Sequence, residues 1–115
     1  MDEHSARELL EAFGQAWNDH DLDAALALTT HDVVFESTGP APDGERSVGH
    51  DAVRAAWQPI FADRASRFTV EELFVSGDRA LQRWVYRWGD GHVRGVDLFT
   101  LRDGKVAEKV SYVKG

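Results

Sequence analysis

A change of hydrophobic period after Arg67 constrains this chain more than any other feature. Before it, apolar side chains recur every three or four residues; after it, they alternate with polar ones. Four strand-like runs separated by turn segments follow the change, at residues 68–75, 79–88, 92–101 and 105–113. Helices followed by a meander of strands predict an α+β fold, with the helices on one face of an antiparallel sheet. A length of 115 residues predicts one domain, residues 1–115.

Three helices are predicted before the change of period. The first begins with a capping box at Ser5, and a shorter second helix begins at Asp21. After a brief strand at 33–36, the third helix begins at His50 or Asp51. Apolar side chains at helical spacing form one stripe on the first helix, namely Leu9, Leu10, Phe13, Ala16 and Trp17.

Composition excludes several classes of function. The net charge is −7, and the absence of cysteine excludes disulfides, thiolate metal sites and cysteine nucleophiles. Whole-chain acidity argues against a nucleic-acid partner, although residues 64–115 hold ten of the thirteen basic residues. The histidines lack metal-ligand spacing and no nucleotide-binding fingerprint occurs, so neither a metal nor a cofactor is predicted. With no long apolar run and no leader, the expected location is cytoplasmic and no membrane contact is expected.

The turns at residues 89–91 and 102–104 decide which strand residues share a face. Three-residue loops are favoured, and they place Arg83 and Lys109 opposite Asp97 on its two sides. The other sheet face then carries four aromatic residues, Trp84, Tyr86, Trp88 and Tyr112. Such an exposed aromatic face predicts a homodimer. Two-residue turns would instead set Asp97 against Trp84 and Val110.

Asp97 is the main candidate for chemistry because it lies between Val96 and Leu98 in a strand that is expected to be buried. A buried carboxylate is costly unless it is paired. Between Arg83 and Lys109 it would stay ionised, as a base or an anion-orienting group; against apolar neighbours it would stay protonated and donate a hydrogen bond. A purely structural ion pair is the alternative interpretation.

Three stretches of the chain are recognisable as motifs: AWNDHDLDAALALTTHDVVFES, GHDAVRAAW and RGVDLFTLRDGKVAEKVSYV. Together they resemble the SnoaL-like branch of the nuclear transport factor 2-like superfamily. The resemblance implies three helices packed in a curved sheet that forms a cone-shaped barrel with a central pocket, often in a homodimer. Relatives named by activity include ketosteroid isomerases, polyketide cyclases, limonene-epoxide hydrolase and scytalone dehydratase.

Under this resemblance, Asp97 falls where the isomerases place a protonated, oxyanion-stabilising Asp and where the cyclases place their acid/base Asp. The isomerase base falls at Ser37, next to Glu36, and the isomerase oxyanion Tyr falls at Phe13. The epoxide hydrolases need an Arg-x-Asp on one strand, but Val85 stands in place of that Asp. Both of these catalytic sets are incomplete, so the single Asp of the cyclases is the closest match.

We therefore predict a cofactor-independent pocket protein that binds a small, largely apolar ligand and acts as an isomerase, cyclase or dehydratase. Asp97 is the predicted acid/base, with Arg83 and Lys109 setting its charge. The predicted ligand-binding residues, whose aromatic members are alternatively plain core, are Phe13, Trp17, Glu36, Ser37, Trp57, Phe61, Arg87, Phe99 and Ser111. A binding protein without turnover and a dimeric interaction module are the competing hypotheses.

Overall fold

The structure, a computed structural model, describes residues 1–115 and contains three helices and six strands. The helices are α1 (Glu3–Asn18), α2 (Leu22–Ala27) and α3 (His50–Ala62). The strands are β1 (Thr29–Glu36), β2 (Arg46–Val48), β3 (Arg67–Ser76), β4 (Arg79–Trp88), β5 (Gly91–Arg102) and β6 (Lys105–Val113). The α+β class is confirmed. None of the helices is long and apolar enough to cross a membrane.

The helix starts follow side-chain capping. Asp2 caps α1 by accepting a hydrogen bond from the Ser5 backbone N–H at 2.7 Å, so the predicted capping box at Ser5 is wrong by one turn. This hydrogen bond lowers the pKa of the Asp2 carboxyl. Asp21 caps α2 as predicted. Gly49 caps α3 without a side-chain hydrogen bond, which places His50 inside the first turn.

All six strands form one sheet in the order β2-β1-β6-β5-β4-β3. The β3–β6 meander is antiparallel as predicted, but β1 pairs with β6 in parallel, so the sheet is mixed. We call the face that carries Asp97 and packs against the helices the inner face, and the opposite face the outer face. Aromatic rings fill the space between α1, α3 and the inner face; Phe13 meets Trp57 at 5.8 Å and Phe99 at 5.9 Å between centroids.

The β4–β5 turn has two residues, and the predicted three-residue loop is wrong. Trp88 pairs with Gly91 across the turn, which sets Gln82 rather than Arg83 opposite Asp97. Gly91 begins β5 and makes room for the Trp88 indole, since a Cβ at this position would stand 2.8 Å from that ring. This one-residue difference turns every β4 side chain to the face opposite the predicted one.

The β5–β6 turn also has two residues, Asp103 and Gly104, both with positive φ. A β-bulge at Ala107 then shifts the register, so that farther along β6 Ser111 lies opposite Asp97 and Lys109 opposite Phe99. The short turn and the bulge each shift the register by one residue, so together they return the β6 side chains to the face that was predicted for them. Lys109 therefore shares the face of Asp97, as predicted, but lies diagonal to it rather than directly opposite.

Candidate functional site

An aromatic cavity of about 430 Å³ lies between the inner face, α1 and α3. Nine of its 13 lining residues are hydrophobic. Six aromatic side chains form most of the wall, namely Trp17, Phe35, Phe68, Trp84, Tyr86 and Trp88. Lys109 is the only lining residue that carries a charge, and Ser37, Thr38 and Ser111 supply hydroxyl groups. A cavity of this size and character suits a small, mostly apolar molecule with one polar end.

Three buried polar side chains lie side by side at the base of the cavity. Lys109 Nζ donates a hydrogen bond to Ser111 Oγ at 2.9 Å, and Ser111 Oγ donates to Asp97 Oδ1 at 2.6 Å. Lys109 Nζ also lies 3.6 Å from Asp97 Oδ2. Each of these residues is less than a tenth exposed. The hydroxyl of Ser111 thus connects an amine to a carboxylate.

The strands explain why these groups converge. Residues 109 and 111 are two apart on β6 and point to the same face, while the register sets Asp97 opposite Ser111. The ammonium group of Lys109 lies 4.8 Å from the Trp17 ring centroid and 4.9 Å from that of Phe35. These two rings hold the amine over their π faces and away from bulk water.

Burial sets the electrostatics of this cluster. Loss of hydration lowers the pKa of the Lys109 ammonium, and the nearby Asp97 carboxylate opposes that shift without cancelling it. The amine is therefore easier to deprotonate than an ordinary surface lysine. A second, smaller cavity adjoins the aromatic cavity. Of the side chains that line the two cavities, only Lys109 and Asp97 are charged.

The small cavity, of about 30 Å³, lies behind the aromatic cavity and shares Trp17, Phe68, Trp84 and Lys109 with it. Asp97 lines the small cavity but not the large one, whereas Ser111 lines only the large one. A ligand in the aromatic cavity therefore meets the Lys109 amine and the Ser111 hydroxyl before it meets the Asp97 carboxylate.

Two indole N–H groups at this site have no acceptor. Trp17 Nε1 and Trp84 Nε1 are buried without a hydrogen-bond partner, and both residues line both cavities. A buried donor that lacks an acceptor costs about 1–3 kcal/mol.

The structure brings only some of the predicted ligand-binding residues together. Trp17, Ser37 and Ser111 line the aromatic cavity. Phe13 and Phe99 reach only the small cavity, and Trp57 and Phe61 belong to the hydrophobic core. Glu36 lies outside the aromatic cavity and forms an ion pair with Arg46 at 3.0 Å.

The two predicted arginines point away from the site, because the β4 register differs from the predicted one. Arg83 lies on the outer face, where it contacts Glu71 at 3.4 Å and Glu72 at 3.3 Å. Arg87 also lies on that face and donates to Thr69 Oγ1 at 3.4 Å. The prediction that Arg83 flanks Asp97 and that Arg87 lines the pocket is wrong.

The predicted aromatic dimer face is wrong for the same reason. Trp84, Tyr86 and Trp88 line the aromatic cavity on the inner face, while Tyr112 alone lies on the outer face and is 55% exposed. Sequence reasoning missed these three residues as lining, together with Phe35, Phe68 and Gln82. Gly89, which has a φ of +46° at the first position of the two-residue turn, is the sequence signal that favours the observed register.

No group of three or more His, Asp or Glu side chains is arranged to hold a metal ion. The carboxylate and amine at the base of the cavity are instead neutralised by each other. The chemistry that this site offers is proton transfer and the binding of a polar atom.

Comparison with known proteins places this geometry in context. Residues 10–109 match the SnoaL-like domain family. The chain is 40% identical to an NTF2-like protein of unknown function from Mesorhizobium loti, with a TM-score of 0.88 over 100% of this chain and 97% of that one. It is 28% identical to a computationally designed 17-OHP binder, with a TM-score of 0.81 over 96% and 91% of the two chains.

A third similarity concerns the fold alone. An epoxide hydrolase/cyclase-like enzyme with a role in pyran ring formation in the polyether salinomycin is 18% identical, with a TM-score of 0.84 over 98% of this chain and 93% of that one. No curated protein sequence matches significantly.

Proposed function

This chain belongs to the SnoaL-like domain family, and from that premise we propose that it binds a small, largely apolar carbonyl compound and moves a proton next to the carbonyl group. The single observation that carries the proposal is the buried Lys109–Ser111–Asp97 chain at the base of the aromatic cavity. The reaction needs no cofactor. It corresponds to the proton-transfer step of an isomerisation, a cyclisation or a dehydration.

Each polar group has a distinct task in this proposal. The Ser111 oxygen takes a proton from the carbon next to the carbonyl while its own proton passes to Asp97 Oδ1 along the 2.6 Å hydrogen bond. The Lys109 amine stabilises the negative charge that develops on the carbonyl oxygen. Asp97 acts through Ser111, so it is a positioning residue and proton store. Arg83 has no part, and Ser37 contributes to the cavity wall.

Exchange of carbon-bound hydrogen tests the proposal without knowledge of the natural ligand. The probe is β-tetralone, an apolar ketone, in deuterated water, with loss of its α-proton NMR signal as the readout. Asp97→Asn should slow the exchange at least about 100-fold, the usual contribution of a positioned acid or base. The affinity of this variant for β-tetralone, measured by quenching of tryptophan fluorescence, should change little because Asp97 does not line the aromatic cavity.

A matched control and a contradicting outcome complete this test. Glu36→Gln changes an acidic residue outside the aromatic cavity and should leave the exchange rate unchanged. If the wild-type protein exchanges no faster than buffer, or if Asp97→Asn exchanges as fast as wild type, the proton-transfer function is contradicted.

A binding protein without turnover is the second candidate. The observation that favours it is that Asp97 is hydrogen-bonded to Ser111 and lies behind the wall of the aromatic cavity. Under this function β-tetralone quenches tryptophan fluorescence but its α-protons do not exchange. The interaction-module hypothesis predicts no enclosed pocket, and the cavity of about 430 Å³ is partly open to solvent.

We retain a homodimer as a proposal, but through different residues from those that the sequence predicted. The outer face presents half-buried Val96, Leu98 and Val110 beside exposed Phe74 and Tyr112. Leu98→Glu should convert a dimer to a monomer in sedimentation velocity, because it buries a charge in that interface. An unchanged sedimentation coefficient contradicts this interface. A cytoplasmic location and the absence of a nucleic-acid partner stay predictions.

A further inference from the structure

We propose that the Lys109 amine forms a Schiff base with an aldehyde or ketone bound in the aromatic cavity. The inference rests on the proposed function and deepens it, because it gives the carbonyl group a covalent partner. An iminium makes the adjacent carbon–hydrogen bond more acidic than the free carbonyl does, and the Ser111–Asp97 pair is positioned to take that proton.

The position of Lys109 is the first argument. It is the one amine among the lining residues of the aromatic cavity, at the end where the hydroxyl and the carboxylate converge. Aromatic rings of Trp17 and Phe35 flank its Nζ at just under 5 Å. An apolar carbonyl compound whose body lies against the aromatic wall presents its polar end to this amine.

The charged groups around the amine are the second argument. The Asp97 carboxylate on β5 is the only ionised group that faces it; α1, β1, β3 and β4 contribute Trp17, Phe35, Phe68 and Trp84. Burial lowers the pKa of Lys109, since desolvation outweighs the attraction of Asp97. The uncharged amine, which is the nucleophile, is thereby more populated at neutral pH than on a surface lysine.

The covalent step balances with water as the sole by-product. The amine lone pair attacks the carbonyl carbon, and the C=O π electrons move to the oxygen. One proton of the nitrogen passes through Ser111 and Asp97 to that oxygen, which gives a neutral carbinolamine. The second nitrogen proton follows the same route to the departing hydroxyl group. The nitrogen lone pair then forms the C=N bond as the C–O bond breaks, so amine plus carbonyl gives imine plus water. Hydrolysis reverses the sequence.

The small cavity fits this chemistry. Its volume of about 30 Å³ exceeds the roughly 10–15 Å³ that a cavity needs to hold one water molecule. The polar side chains of Gln82, Asp97 and Lys109 line it, which supplies the two or more hydrogen-bond partners that a buried water needs. It is thus a place for the water that imine formation releases and that hydrolysis consumes.

Reductive trapping tests the inference, and the lysine content makes it clean. The chain has three lysines, and Lys105 and Lys114 are exposed. The protein is incubated with naphthaldehyde and cyanoborohydride, and peptide mass mapping counts the adduct at each lysine. At about pH 7, labelling at Lys109 should be at least about tenfold faster than at either surface lysine, in line with a lowered pKa. Excess β-tetralone should protect Lys109 alone.

Two variants control the experiment. Lys105→Arg should leave the rate at Lys109 unchanged, and Lys109→Arg should abolish the fast-labelled fraction while circular dichroism reports a folded protein. Labelling of Lys109 no faster than of Lys105 and Lys114, or fast labelling that β-tetralone does not reduce, overturns the inference. Slow labelling together with fast α-proton exchange overturns the Schiff base and leaves the proposed function standing. Fast labelling of Lys109 that β-tetralone prevents, without α-proton exchange, supports the Schiff base and overturns the proposed proton-transfer function.

Discussion

Strands β3 to β6 carry ion pairs on both faces of the same sheet. Those on the outer face are exposed to water, and the one on the inner face is buried. On the outer face, Arg94 Nη1 contacts both carboxylate oxygens of Glu71, at 2.7 and 2.8 Å. On the inner face, Lys109 Nζ and Asp97 Oδ2 are 3.6 Å apart. The outer pair has the shorter contacts, yet its side chains are 46% and 28% exposed, against 8% and 6% for the inner pair.

Water makes the difference between them. The hydrogen bond from Arg94 lowers the pKa of the Glu71 carboxyl, but solvent screens the charges and either partner can be lost to water at little cost. In the inner pair neither charge is accessible to water, so the loss of one partner leaves the other charge buried and unpaired, at a large cost in stability. The same kind of contact is therefore weak where water surrounds it, whereas burial on the inner face lowers the pKa of the Lys109 amine.

The largest expected effect comes from breaking the inner pair. Lys109→Met should lower the free energy of unfolding by about 3 kcal/mol at neutral pH, since it leaves the Asp97 carboxylate buried without its cation. The double variant Asp97→Asn with Lys109→Met should recover most of that loss. Urea denaturation measures both. A loss in the double variant equal to the sum of the losses in Lys109→Met and Asp97→Asn would show that the two side chains are not energetically coupled.

A smaller effect is expected at Gly95, where the β6 backbone and the Trp84 ring leave no room for a side chain. A Cβ there would stand 2.3 Å from the Tyr112 backbone oxygen and 2.6 Å from the Trp84 ring. Gly95→Ala should therefore cost about 2 kcal/mol and displace Trp84 into the aromatic cavity. Thermal unfolding and β-tetralone quenching report the two consequences. Gly14→Ala, where nothing lies within 4 Å, is the matched control and should not destabilise the protein.

The inner pair should also make stability depend on alkaline pH. Between the lowered pKa of Lys109 and the ordinary value of 10.5, the unfolded chain binds a proton that the folded chain has released. Raising the pH through this window therefore stabilises the folded protein, by at most about 1.4 kcal/mol per pH unit. Urea midpoints between neutral pH and about pH 10 measure the slope. The double variant at residues 97 and 109 should lack this contribution; an equal slope in both proteins contradicts it.

The smallest effect is expected on the outer face. Arg94→Ala removes an ion pair whose shorter contact is 2.7 Å, yet the urea midpoint should not change measurably, because the Glu71 carboxylate that remains is accessible to water. Added salt should likewise have no clear effect on the difference between wild type and variant. A loss comparable to that of Lys109→Met would show that contact geometry, rather than burial, decides the strength of these pairs.

The order of helices and strands was predictable from the sequence, because hydrophobic period and capping residues act locally. The Asp21 cap and the strand alternation after Arg67 are examples. The sheet faces were not predictable, because they depend on turn length and on a bulge, each a matter of one residue. Lys109 and Ser111 were placed correctly beside Asp97 only because the bulge at Ala107 cancels the short turn. Arg83 was misplaced because β4 has no such correction.

The parallel pairing of β1 with β6 was also beyond the sequence pattern. It brings Phe35 beside Lys109 from a strand more than seventy residues earlier in the chain. A local periodicity contains no information about such a contact. The aromatic residues that surround the amine were therefore recognised as apolar, but their shared location was not.

The bulge at Ala107 reverses the alternation of side chains between the two faces of the last strand. Everything before it follows the alternation set by the turn, and everything after it follows the opposite alternation. If Ala107 paired regularly with Thr100 instead of bulging, Lys109 and Ser111 would turn to the outer face and Val110 would turn inward, whereas deletion of this single alanine would keep both residues on the inner face. The identity of the inner lining is thus encoded by the pairing of residues across the strands as much as by their chemistry.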